Sequence, residues 1–214
     1  MNPFCKIRHP FSYSYFYATF ILIAVNFIVY MISRAIPYIP YYCSLNVVSI
    51  TKRYYFWQFL TYMFVHANWS HIISNMLGLL FFGVSVEKAI GSKEFLLFYF
   101  LTGTLSGIFS FFIYWITGQT NVYLMGASGA VYAVLLLFAV AFPKAKIYIW
   151  GIIPVPAPIL VVIYAAIEIY SQFFSSGSNI AHLTHLAGFA FAWIYCIVRF
   201  GENPWKVWKR NYRS

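Results

Sequence analysis

The chain has 214 residues, 62% of them hydrophobic and only 8% charged, with a mean hydropathy of +0.74, whereas soluble domains carry roughly 25% charged residues. These values exclude a water-soluble globular protein and describe an integral membrane protein with no sizeable soluble domain outside its spans. The formal charge of +10 invites a nucleic-acid reading, but basic residues beside membrane helices more often set orientation than bind a polyanion, so the expected partner is the lipid bilayer and not nucleic acid.

A first span is predicted over 17–36. It lacks a small-residue cleavage site and many spans follow it, so it reads as uncleaved and not as a removable signal peptide. Pro37 and Pro40 stop it, because proline lacks the N–H that a helix interior needs and restricts the residue before it. The aromatic segment from there to Ser70 holds Lys52 and Arg53. It is longer than an ordinary connection and is expected to carry short helices of its own in the interface. Five further apolar stretches cover 71–90, 95–117, 128–142, 159–174 and 181–200. Turn residues separate them at 91–93, 118–121, 143–144 and 175–179. The expectation is a single all-α membrane domain over 1–214 with six transmembrane helices. Cys5, Cys43 and Cys196 lie far apart without metal-ligand spacing, and no cofactor is expected.

Threaded through six spans, Lys6, Arg8, Lys88, Lys93, Lys144, Lys146, Arg199, Lys206, Lys209, Arg210 and Arg213 fall on one side, and Arg34, Lys52 and Arg53 on the other. The positive-inside rule then makes both termini cytoplasmic, and a plasma membrane is the expected location. Spans two, four and six all start toward the outer face. His71, Asn75, Ser128, His182 and His185 therefore share one leaflet. The fourth span rises only about 22 Å, against a hydrocarbon core of about 30 Å, which puts Ser128 below the outer surface. A polar site at that depth requires a water-filled cavity, and hydrolysis requires the water.

A serine hydroxyl is a weak nucleophile until a base takes its proton, and histidine is the commonest base for it. Ser128 and His185 supply that pair. Tyr132 lies four residues after Ser128 on the same helix face, where its ring can pack on the imidazole. Gly126 and Gly129 flank the serine and permit unusual backbone angles and close helix approach, as does Gly188. Acyl transfer also needs donors for the developing oxyanion. A serine at a helix N-terminus has free backbone N–H groups beside it, and His71 and Asn75, four residues apart on one face, add side-chain donors. The chain has no Asp, and Glu87, Glu94 and Glu202 map to the cytoplasmic side. Only Glu168 lies in the outer half, where it reads as a protonated or water-reaching structural residue, with contact to the cavity as the lesser alternative. The expected machinery is a Ser-His dyad.

Each motif also has a plainer reading. Small-Ser-small in a membrane helix usually signals packing, and His71 with Asn75 fits interhelical hydrogen bonding equally well. His182 and His185, with His66 and His71, also suggest a histidine metal site, against which stands the lack of any cysteine or carboxylate clearly joining them. What favours a catalytic site is the convergence of all these groups in one leaflet, since ionisable groups inside a membrane are functional candidates by default.

His66, the run from His71 to Asn75, Glu87, the GASGAVYA segment holding Ser128 and Tyr132, and HLAG from His185 together resemble the rhomboid intramembrane proteases. The resemblance spans His66 to the end of the sixth span. It implies a six-transmembrane-helix rhomboid core that cleaves transmembrane protein substrates entering from the lipid beside span five. It further implies Ser128 as nucleophile, His185 as base, and His71, Asn75 and the Ser128 amide around the oxyanion. Two positions depart from the family pattern: Trp57-Gln58 stands where Trp-Arg is frequent, and Ala192 where a second glycine often follows HxxG. The alternative is an inactive rhomboid-like protein that binds membrane helices without cutting them.

Overall fold

The computed structural model describes residues 10–149, 151–174 and 180–212. Cys5, Lys6, Arg8, Arg213 and the 175–179 turn lie outside them. Helix α1 (Ala18–Ala35) ends ahead of Pro37, and the aromatic segment then forms three short helices, α2 (Ile39–Cys43), α3 (Val47–Arg53) and α4 (Gln58–Thr61), and one 3-10 turn at Tyr62–Phe64. Next come α5 (Trp69–Ile90), with a π-helical stretch at Leu79–Gly83, and α6 (Ser92–Ile116). Between them Gly91 turns the chain at φ +84°, a region costly for any residue with a Cβ. Helix α7 (Ser128–Ala141) is followed by strands β1 (Lys146–Ile149) and β2 (Ile153–Pro156), then α8 (Ala157–Phe174), α9 (Ile180–Tyr195) with a π-helical continuation at Cys196–Phe200, and α10 (Pro204–Tyr212).

Among the described residues, four helical stretches are long and apolar enough to cross a membrane: α1, α5, α6 and His182–Phe200 of α9. The apolar parts of α7 and α8 are shorter. Large apolar side chains such as Ile28, Phe81, Ile116, Ile167 and Ile194 are exposed, far more than water tolerates on a monomer and what a lipid-facing surface requires. Four of the six predicted spans coincide with the helices long enough to cross, and the fourth and fifth coincide with the shorter α7 and α8. One departure is the β1–β2 hairpin, whose antiparallel pairs run from Lys146↔Pro156 to Ile149↔Ile153. Proline is tolerated there because the two-stranded ribbon has free edges.

Helix α7 is the centre. It is apolar on every face, and from Gly129 to Ala139 all its residues but Tyr132 are buried, as expected of a helix surrounded by others. Small residues set the closest approaches. A Cβ on Gly188 of α9 would stand 2.1 Å from the Gly129 carbonyl oxygen, so the two backbones touch. On α6, Gly103 lies against Met63, and Ser110 shares a 2.7 Å hydrogen bond with Thr184 of α9. Ala192 is fully buried. Its methyl fits where the family often has glycine.

Two buried carboxylates fasten the far end. Glu87 accepts hydrogen bonds from the backbone N–H groups of Ala18 and Thr19 at 2.6 and 2.9 Å, and from the Ser92 hydroxyl. It caps the N-terminus of α1, which has no capping side chain of its own. Glu94 receives Arg199 Nε at 2.8 Å and its terminal nitrogen at 3.0 Å, with further donation from the Tyr195 hydroxyl and the Phe11 N–H. Removing one partner of a buried pair strands the other charge. Glu94→Ala is therefore expected to destabilise the folded protein by roughly 3–5 kcal/mol, and Glu202→Ala, on the exposed 3.8 Å pair with Arg210, by less than about 1 kcal/mol. Unfolding in detergent checks both, and equal effects would contradict this view of Glu94.

Candidate active site

The loop that presents Ser128 is held from three sides. Leu45 and Leu124 exchange backbone hydrogen bonds at 2.9 Å, joining the aromatic segment to the loop, and the Gly126 N–H donates to the Tyr62 carbonyl at 2.9 Å. The aromatic segment is itself anchored by Trp57 Nε1 and Gln58 Nε2, each donating to the Tyr42 carbonyl at 3.0 Å, while Gln58 Oε1 accepts the Asn46 N–H. Gln58 is fully buried. It supplies, without charge, an anchor for that segment.

Gly126 adopts φ +116°, and a Cβ there would stand 2.5 Å from His71 Nε2. Glycine is needed both for the backbone angle and for the space taken by the imidazole. His66 braces the next residue: its Nδ1 lies 3.3 Å from the Phe64 carbonyl and its Nε2 accepts the Ala127 N–H at 3.5 Å. That pattern fits a neutral ring with the proton on Nδ1. Burial, helped by the neighbouring His71, pushes the His66 pKa down to about 4.

Ser128 is the first residue of α7, and its Oγ lies 2.8 Å from His185 Nε2. The Tyr132 ring stacks on the His185 imidazole with centroids 4.3 Å apart and planes 12° from parallel. Asn68 caps α5 by accepting the His71 N–H at 2.9 Å, and His71 Nδ1 accepts the Ala67 N–H at 3.5 Å, which leaves Nε2 to carry the proton. Asn75 Nδ2 donates to the His71 carbonyl at 3.1 Å. Ser128, His185, His71, Asn75 and Tyr132 line one cavity of about 280 Å³, and Gly126 lies against His71. The deeper part is apolar, lined by Phe82, Val131 and Leu135. At about 30 Å³ per water molecule, there is room for several.

Glu168 is where the sequence reading falls short. Its side chain is only 6% exposed. Oε1 lies 3.0 Å from His185 Nδ1 and accepts the Tyr132 hydroxyl, while Oε2 lies 2.6 Å from His182 Nδ1. The carboxylate read as a separate structural group is packed against the histidine that meets Ser128. Its place six residues before the end of a helix and fourteen before His182 gave no periodic signal, because α8 and α9 meet only in the fold. Glu168, His182 and His185 each offer one potential metal-ligand atom, all within 4.8 Å of one another. Glu168 is thus the carboxylate that joins the two histidines, through contacts of 2.6 and 3.0 Å to their Nδ1 atoms. Neither His66 nor His71 joins this group.

The His66 environment predicts a pH dependence. Its folded pKa, about 4, lies below the ordinary value of about 6.5, so the unfolded chain binds the extra proton first. The stability linked to His66 is fully present above about pH 6.5 and is lost as pH falls toward 4. Unfolding followed over that range in detergent should show a stability loss that His66→Gln reduces. An unchanged slope in the variant would contradict the assignment.

The rhomboid domain family matches residues 53–202, a stretch that begins at the end of α3 and includes every site residue above. Among curated proteins, the chain is 34% identical over 147 residues to RHOMBOID-like protein 12, mitochondrial, of Arabidopsis thaliana, covering 62% of this chain and 43% of that protein. It is 31% identical over 143 residues to Rhomboid-related protein 2 of Mus musculus, covering 64% and 46%. Rhomboid-like protein 11, chloroplastic, of Arabidopsis thaliana is 39% identical over 85 residues, covering 40% and 28%. The matched stretches span less than half of these relatives. The chain is a membrane protein with a rhomboid domain, and it belongs to the rhomboid family.

Proposed function

We propose that the chain is an intramembrane serine endopeptidase that cuts transmembrane protein substrates with Ser128 as nucleophile and His185 as base. The single observation that carries this reading is the 2.8 Å contact between Ser128 Oγ and His185 Nε2, beside a cavity that His71, Ser74 and Asn75 also line. In the reaction, His185 Nε2 takes the Ser128 proton as Oγ attacks the substrate carbonyl. Charge then develops on the carbonyl oxygen, where the N–H groups at the start of α7, His71 Nε2 and the second N–H of Asn75 Nδ2 are available as donors. His185 returns the proton to the leaving amine. Water, deprotonated by the same nitrogen, releases the acyl group from Ser128.

The protein is read as one membrane domain of six spans, with α7 and α8 as the short ones. The basic side holds both termini by the positive-inside rule. The plasma-membrane expectation finds no support in the relatives, two of which carry mitochondrial and chloroplastic locations in their names. The location is that of an integral membrane protein. Substrates approach from the lipid beside α8. A helix-destabilising residue near the cut should help, because a helical peptide bond is hydrogen-bonded and covered.

The competing reading is a rhomboid-like protein that binds membrane helices without cutting. Purified protein in liposomes with a transmembrane reporter separates the two. Cleavage by wild type, absent in Ser128→Ala and His185→Ala, is the expected result. Capture of the reporter without cleavage by wild type would favour the binding protein.

A further inference from the structure

Glu168 is the group that the dyad does not use. A carboxylate inside a membrane is costly unless it is paired or hydrogen-bonded, and this one is met by three side chains from two other stretches of chain. Tyr132 of α7 donates to Oε1, His182 Nδ1 lies 2.6 Å from Oε2, and His185 Nδ1 lies 3.0 Å from Oε1. The His185 N–H is not aimed straight at the oxygen, so that contact is electrostatic at close range and not a linear hydrogen bond. The imidazole is thereby held between a carboxylate on one nitrogen and the Ser128 hydroxyl on the other.

We propose that Glu168 is a positioning residue that, with Tyr132 and His182, fixes the orientation and tautomer of His185 and balances the charge that forms on its ring. This rests on the reading of Ser128 and His185 as nucleophile and base. A neutral imidazole carries its proton on one nitrogen only. For Nε2 to accept the Ser128 proton, the resident proton must sit on Nδ1, and Glu168 Oε1 is the negative charge 3.0 Å from that nitrogen. When Nε2 becomes protonated the ring is positive, and in a poorly solvated site the adjacent carboxylate offsets that charge far more than it would in water. Glu168 itself takes no proton in the cycle.

The surrounding groups keep this geometry. Tyr132 performs two tasks, stacking on the His185 ring and donating its hydroxyl to Glu168, so ring plane and carboxylate are fixed by one side chain. His182, 27% exposed, holds the second oxygen and stops the carboxylate from turning toward water. The other titratable groups around His185 are Tyr164, whose ring meets Tyr132 edge-on with centroids 5.8 Å apart, and His71 across the cavity. Neither brings a negative charge to Nδ1. The arrangement is a carboxylate–histidine–serine relay assembled from α8, α9 and α7.

The test uses purified full-length protein and a fluorophosphonate, whose reaction with Ser128 requires no substrate. In Glu168→Gln, which keeps size and shape but removes the charge, the maximal rate of labelling is expected to fall about 100-fold or more, while the concentration giving half that rate changes little. Nitrogen-15 NMR of histidine-labelled wild type provides a readout that does not depend on the variant folding. The His185 signals should report a proton on Nδ1 and a bare Nε2. A proton resident on Nε2, or a folded Glu168→Gln protein labelled at the wild-type rate, would overturn the proposal. If wild type itself fails to label at Ser128, the dyad reading fails and the relay falls with it. If wild type labels and Glu168→Gln matches it, only the relay fails.

Discussion

Everything at the site depends on two helices whose backbones touch. Helix α9 can bring His185 to Ser128 only because Gly188, one turn further on, has no side chain to hold it away from the Gly129 carbonyl. In water such a contact would be driven by burial of large apolar groups, but lipid is as apolar as leucine, and membrane helices gain instead from close packing and from polar groups that find partners. Helix α9 gains both: its Gly188 meets Gly129 of α7, and its Thr184 shares a hydrogen bond with Ser110 of α6. A side chain at Gly188 would drive α9 off α7, whereas one at Gly129 would press on Ser106 of α6.

The second constraint is that polar chemistry has to be kept in a medium that disfavours it. The structure meets this by leaving few polar atoms idle. Glu168 bonds Tyr132 and His182, His66 joins two backbone groups, Asn75 is tied to the His71 carbonyl, and Glu87 serves as the cap that α1 lacks. Each contact reduces a desolvation cost and at the same time fixes an orientation. Burial and preorganisation therefore arise from the same hydrogen bonds. The cavity beside Ser128 is the exception, where polar atoms face open space that water can fill.

Much of this was legible in the sequence because the bilayer narrows the choices. Uninterrupted apolar stretches must be helices, glycines and prolines mark where they stop, and the predicted span limits fall within a few residues of the helices found. The spacing of Ser128 and Tyr132, and of His71 and Asn75, fixed shared faces, since a four-residue step is about one helical turn. Contacts between distant stretches were not legible. Glu168 meets His185 through the crossing of α8 and α9, which no local period encodes, so a sequence without Asp and with one outer-half carboxylate points to a dyad. The β1–β2 hairpin was hidden for a different reason: its prolines and turn residues read as a plain connection.

The central claim is that Ser128 is made nucleophilic by His185 within a cavity below the membrane surface. Peptide mass spectrometry after exposure to a fluorophosphonate tests it most directly. A single adduct on the peptide carrying Ser128 in wild type, and none in His185→Ala, is the predicted result. An adduct on another serine, or equal modification of Ser128 without His185, would contradict it.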